Sequence, residues 1–166
     1  MSISQGEPNL AELEARMRPG ELSQTGFLGP DESLEFVLAR DAETMERLGV
    51  SFEELANRLE ALLDEALKSP RHRARIGHVE VEVKVYTGFQ ICPWAPDPDA
   101  GQCTAAGPVS HASLDWTIRN TRTGQKLSGP GLISHLIRAP SFFAGLKSPN
   151  RVDPEALVEI LELHPD

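Results

Sequence analysis

The spacing of apolar residues changes period once along this chain, at Pro70, and that change constrains the fold more than any motif does. Before it, Phe52, Leu55, Ala56, Leu59, Leu62, Leu63, Ala66 and Leu67 recur at helical spacing. After it, Val79, Val81, Val83 and Val85 alternate with Glu80, Glu82 and Lys84, the two-residue period of a strand with one buried face. Strands buried on both faces would read as continuously apolar. The expected class is therefore α+β, with an antiparallel sheet covered on one face by helices.

The other elements follow from the same reading. Leu10, Leu13 and Met17 share one face of a short helix that Pro19-Gly20 stops. A loop punctuated by glycine and proline runs through Phe27 to Pro30. Asp31 or Ser33 then caps a helix to about Leu48, with Leu34, Val37, Leu38, Met45 and Leu48 on its stripe. Gly49 ends it, and Ser51 with Glu54 three residues on opens the long helix. The basic stretch Arg71 to Arg75 reads as a junction. Gly88 breaks or bulges the valine strand, which Phe89 to Cys92 continue, and Pro93 to Gly107 is a loop in which Asp97, Asp99 and Gly101 make a solvated turn. Leu114, Trp116 and Ile118 alternate again, Thr121 to Gly124 turns the chain, and Lys126 to Ser128 completes a hairpin. Gly129-Pro130-Gly131 leads into a short helix that buries Leu132, Ile133, Leu136 and Ile137 and stops at Pro140. Asp153 caps the last helix, with Pro154 in its first position and Leu157, Ile160 and Leu161 buried. The expected layout is N-terminal helices packed with a small antiparallel sheet, followed by two short C-terminal helices, in one domain over residues 1–166.

Charge divides the chain at the same place. Residues 1–70 carry 15 acidic and 6 basic side chains, which is the whole net charge of −9, whereas 71–166 carry 10 of each. An acidic helical region (residues 1–70) beside a mildly basic sheet-and-helix region (residues 71–166) suits charged partners. The opening residues show neither a basic nor an apolar stretch of a secretory signal, and no apolar run approaches a membrane span; the expected location is the cytoplasm and no membrane partner is expected.

The 44-residue window from Cys92 to His135 gathers both cysteines, both tryptophans and two of the five histidines. Cys92, Cys103, His111 and His135 are the donor set that a tetrahedral zinc requires, and one structural zinc would fix a loop-rich region. Their spacing, Cys-x10-Cys-x7-His-x23-His, lacks the tight pairs of zinc fingers, and core packing accounts for two cysteines more simply. Cys92 with His111 or His135 as base and Asp115 as orienter also supplies the residue types of a cysteine-dependent hydrolase. Pro93 removes one N–H from an oxyanion hole there, and neither Ser110-His111 nor Ser134-His135 lies in a nucleophile elbow.

Two further patterns bear on nucleic acid. The helix pair 33–48 and 51–67 looks superficially like a helix-turn-helix, but Glu53, Glu54, Glu60, Asp64 and Glu65 on its second helix would repel phosphates, so a plain helical hairpin is expected. Arg119, Arg122 and Lys126 cluster on the predicted hairpin near Trp116, a combination that binds anionic ligands or single strands, although Trp116 shares parity with Leu114 and Ile118 and so points inwards. The function expected from the sequence is a non-catalytic binding or adaptor module. Its partner is another protein, and its working surface lies in the Cys92–His135 region.

Overall fold

The computed structural model describes residues 9–20, 26–87, 90, 92–94, 111–138 and 141–163, and the backbone of 102–103 and 107–108. Three helices come first: α1 (Leu10–Met17), α2 (Leu34–Leu48) and α3 (Phe52–Lys68). Each opens on a side-chain cap. Asn9, Ser33 and Ser51 accept from the backbone N–H groups of Glu12, Phe36 and Glu54, each cap contributing about 1 kcal/mol. Gly49 ends α2 in the left-handed conformation, with its N–H on the carbonyls of Met45 and Glu46. The predicted stripe of α3 is the buried one. Leu55, Leu59, Leu62 and Leu63 are sealed from solvent, each side chain contributing about 1.5–3 kcal/mol.

The sheet has the order β1 (Arg73–Ile76), β2 (Val79–Val85), β5 (Leu114–Asn120), β6 (Lys126–Pro130), all antiparallel. The pairs Val81↔Ile118 and Val83↔Trp116 form its inner face, against which α3 packs beside β1 and β2 and α5 (Pro154–Leu161) packs beside β5 and β6. Trp116 points into the core, as its parity predicts, and its indole N–H donates to the Pro130 carbonyl at 2.9 Å. Val85 departs from the pattern: at the end of β2 it is exposed. The short helix α4 (Leu132–Arg138) lies against α3 and buries Leu132, Ile133, Leu136 and Ile137. The class and layout are those expected: an α+β fold with helices first, then sheet, then two short helices.

Two expectations are corrected. The stretch read as a junction contains β1, an edge strand whose hairpin to β2 turns at Gly77 with φ 61, the backbone that a two-residue hairpin loop asks of glycine. Within the expected loop 93–107, β3 (Gln102–Cys103) pairs with β4 (Gly107–Pro108) as a separate two-stranded ribbon. The turn at Asp97–Gly101, the breaks at Gly88 and Pro140, and Phe89 lie outside the described residues.

The loops before α2 and before α5 belong to the core. Phe27, Leu28, Phe142 and Phe143 are fully buried, and the Phe27 carbonyl accepts from the Gly145 N–H at 2.6 Å. The buried carboxylate of Glu32 accepts from the backbone N–H groups of Gly29 (2.7 Å) and Lys147 (3.0 Å), joining the two loops. Asn120 does the same for the β5–β6 turn: its amide donates to the Ile160 carbonyl and to Glu162, while its oxygen accepts from the N–H groups of Arg122 and Thr123. Among the described residues no helix is long and apolar enough to cross a membrane.

Candidate functional site

The polar flank of α3 carries Asn57, Glu60 and Asp64 at i, i+3 and i+7, so all three face the same side, next to the buried leucine stripe. The segment leading into β5 brings His111 onto that flank. An ionised carboxylate only accepts, so the His111 Nε2–H donates to Asp64 Oδ1 at 2.7 Å, while Nδ1 lies 3.9 Å from Glu60 Oε2. From the end of α4, Arg138 bonds the other oxygen of Glu60. Asn57, Glu60, Ala61, Asp64, His111 and Arg138 line a hollow of about 460 Å³. A second depression of about 660 Å³ shares Asn57 and Ala61 with it and continues past Glu54 and Glu53 to Ser51. The two make one groove along α3.

His111 is held there at a cost. Its backbone is left-handed, with φ 65, a conformation that costs a non-glycine residue about 1–2 kcal/mol. Gly131, between β6 and α4, passes so close that a Cβ on it would sit 1.9 Å from the His111 carbonyl oxygen. The Gly131 N–H also bonds the Leu114 carbonyl at 2.8 Å. Gly131, which leads into α4, therefore also fixes the approach of His111.

His135 projects from the buried side of α4 and is 4% exposed, and among the described residues its Nε2 has no hydrogen-bond partner. Burial pushes its pKa below the ordinary imidazole value; the nearby Glu60 carboxylate opposes that shift and Arg138 adds to it. Thus His111 and His135, paired in the zinc expectation, are both next to Glu60. Cys92 is 2% exposed and belongs to the hydrophobic core. Its neighbours fix that segment: Arg16 donates to the Pro93 carbonyl at 2.8 Å, and Trp94 meets Phe142 edge-on with ring centroids 5.4 Å apart. Cys103 lies in β3, and its side chain is outside the described residues. Among the described residues no group of three or more His, Cys, Asp or Glu is placed to hold a metal ion.

Two residue types named for a hydrolase triad can be placed on the structure. His111 is bonded to Asp64, and Asp115 lies exposed on the outer face of the sheet, opposite Lys84 and Pro130. Burial raises the Asp115 pKa, the Lys84 charge working against that shift. The basic hairpin is also divided. Arg119 and Lys126 face each other across β5 and β6, whereas Arg122 reaches back to Glu162 at 3.0 Å, and Trp116 is in the core.

His111 was singled out for zinc or base chemistry, whereas Glu60 and Asp64 were read only as charges that repel phosphates, and Asn57 and Arg138 were given no site role. One signal was available: three polar side chains at helical spacing directly beside an unbroken apolar stripe. No protein-family model, curated protein or solved structure matches this chain.

Proposed function

We propose that this chain is a non-catalytic binding module for another protein, and that the groove along α3 receives a basic segment of that partner. The observation that carries this reading is His111, kept in a left-handed conformation and bonded to Asp64 at the mouth of a polar hollow. Backbone strain at the edge of a polar hollow clusters at ligand-binding sites, and here it sits on a half-buried residue whose partner Asp64 is exposed. The groove's form supports a chain-like occupant. Two adjoining depressions run along one helix, and they are polar, unlike the enclosed apolar pockets that hold small molecules. Its charge supports a basic one: Glu53, Glu54, Glu60 and Asp64 stand against Arg58 and Arg138. His111 enters this reading as a donor that orients Asp64, not as a zinc ligand.

The test is a titration of isotope-labelled protein with hexalysine, with hexaglutamate as control, followed through the backbone amides. Shifts should concentrate at Asn57, Ala61, Asp64 and His111 and weaken about tenfold or more in Asp64→Lys, a substitution at an exposed carboxylate. Shifts spread evenly over the acidic residues of α2 and α3, or unaffected by Asp64→Lys, would contradict the proposal.

A further inference from the structure

The helices cover one face of the sheet and leave the other to solvent. On that open face the register sets Arg119 directly opposite Lys126 and, two residues along, Thr117 opposite Ser128. Both cations are exposed, and among the described residues neither makes an ion pair or a side-chain hydrogen bond. Like charges directly across an antiparallel pair destabilise it. Next to them, Arg73 is already engaged by Glu82 at 3.2 Å. Arg73, Glu80, Glu82, Thr117, Arg119 and Lys126 surround a hollow of about 230 Å³.

We propose that this hollow is a second binding site, independent of the α3 groove, and that it takes one carboxylate from an acidic, extended segment of a partner protein. The charge count selects the ligand. Arg73, Arg119 and Lys126 face Glu80 and Glu82, which leaves a surplus of one positive charge. A carboxylate monoanion neutralises it. A phosphoryl dianion would leave the hollow with an uncompensated negative charge, and a run of phosphates with more. The guanidinium of Arg119 offers a planar fork to the carboxylate, and Lys126 adds a point charge from the facing strand. Thr117 Oγ1 and Ser128 Oγ are 2.9 Å apart, so one hydroxyl proton is used between them and the other remains to be donated.

The surroundings favour a polypeptide over a nucleic acid. A shallow depression of about 400 Å³ shares Glu82 and Thr117 with the hollow and continues past Lys84 and Asp115 to Pro130. That trough alternates in charge along the sheet, which suits an extended chain with acidic and neutral positions. Trp116 lies below it in the core, so it gives bases no ring to stack on.

The experiment titrates the intact chain with the peptide acetyl-Glu-Ser-Glu-Ser-Glu-amide. Its glutamine counterpart, inorganic phosphate and a short oligothymidylate are titrated in parallel, each followed through backbone amides. The acidic peptide should shift Thr117, Arg119, Lys126 and Ser128 and lose about tenfold in affinity between low and moderate salt. The double substitution Arg119→Gln and Lys126→Gln should abolish the shifts, whereas Arg122→Gln, which touches only the Glu162 pair, should leave them unchanged. Binding that survives the double substitution overturns the proposal. So does oligothymidylate or phosphate binding as tightly as the peptide, or a second copy of the chain occupying this face in sedimentation at low salt.

Discussion

Arg151 holds Asp41 through two parallel hydrogen bonds of 2.8 Å, Nη1 to Oδ2 and Nη2 to Oδ1, across 110 residues of sequence. Both side chains are largely buried, and Nη1 also donates to the Ala144 carbonyl at 2.9 Å. The pair ties α2 to the segment that precedes α5. A buried pair is costly to break from one side, because the remaining charge has nowhere to go. Asp41→Ala should therefore lower the unfolding free energy by about 3 kcal/mol, read from urea denaturation followed by circular dichroism. A loss below about 1 kcal/mol would mean that solvent reaches Arg151.

The Arg119–Lys126 juxtaposition makes the opposite prediction. Replacing Lys126 by Glu converts a like pair into an opposite one at the same register position. Stability should rise by about 0.5 kcal/mol, measured by thermal unfolding at low salt, and the gain should shrink as salt is added. The same substitution should remove affinity for the acidic peptide, separating a binding role from a structural one.

Gly131 governs where His111 can stand. Gly131→Ala places a methyl group within 2 Å of backbone, a contact that neither a rotamer change nor a side-chain shift relieves. The substitution should cost about 2–3 kcal/mol and should displace the amide resonances of His111 and Asp64 together. Resonances that stay in place, with stability retained, would show that the β6–α4 junction does not position the imidazole.

His135 links stability to pH. Burial depresses its pKa in the folded chain below the ordinary 6.5, so the unfolded chain binds the proton more readily. The contribution of the neutral imidazole is complete above pH 6.5 and is lost as pH falls through the lowered folded value. Glu60 and Arg138, the charged groups facing it, act in opposite directions and leave burial as the dominant cause. Between about pH 7.5 and about pH 5.5 the wild-type chain should lose denaturant resistance, and His135→Leu should lose measurably less. Equal losses in both would assign the pH dependence elsewhere.

The legible features of this fold are those whose cause is local. The helix starts at Ser33, Ser51 and Asp153 are each an oxygen placed three residues before the N–H it accepts, a relation that sequence displays directly. The valine alternation of β2 and the parity of Trp116 are similarly self-contained. Strand β1 was hidden because four residues are too few to display a period, and its two outward positions are arginines that read as a charge run. The ribbon of β3 and β4 is shorter still. In the candidate site, the sequence singled out His111 for zinc or base chemistry, but its partner Asp64 lies 47 residues away, and only the path of the chain over α3 joins them. The same holds for Glu32, whose carboxylate is fixed by a backbone N–H 115 residues distant. Arg119 and Arg122, grouped in the sequence reading, are separated for a geometric reason: Arg122 lies in the turn, beyond the paired residues, and reaches the end of α5.

The most direct test of the proposed binding groove is a photoreactive amino acid placed at Asn57, where the two depressions along α3 meet, in the cells that make this protein. Irradiation should yield one protein adduct of defined mass, absent when the photoreactive residue is moved to Glu43 on α2 and lost on adding Asp64→Lys. An adduct that forms equally at Glu43, or that persists with Asp64→Lys, would contradict the assignment of the groove as the partner site.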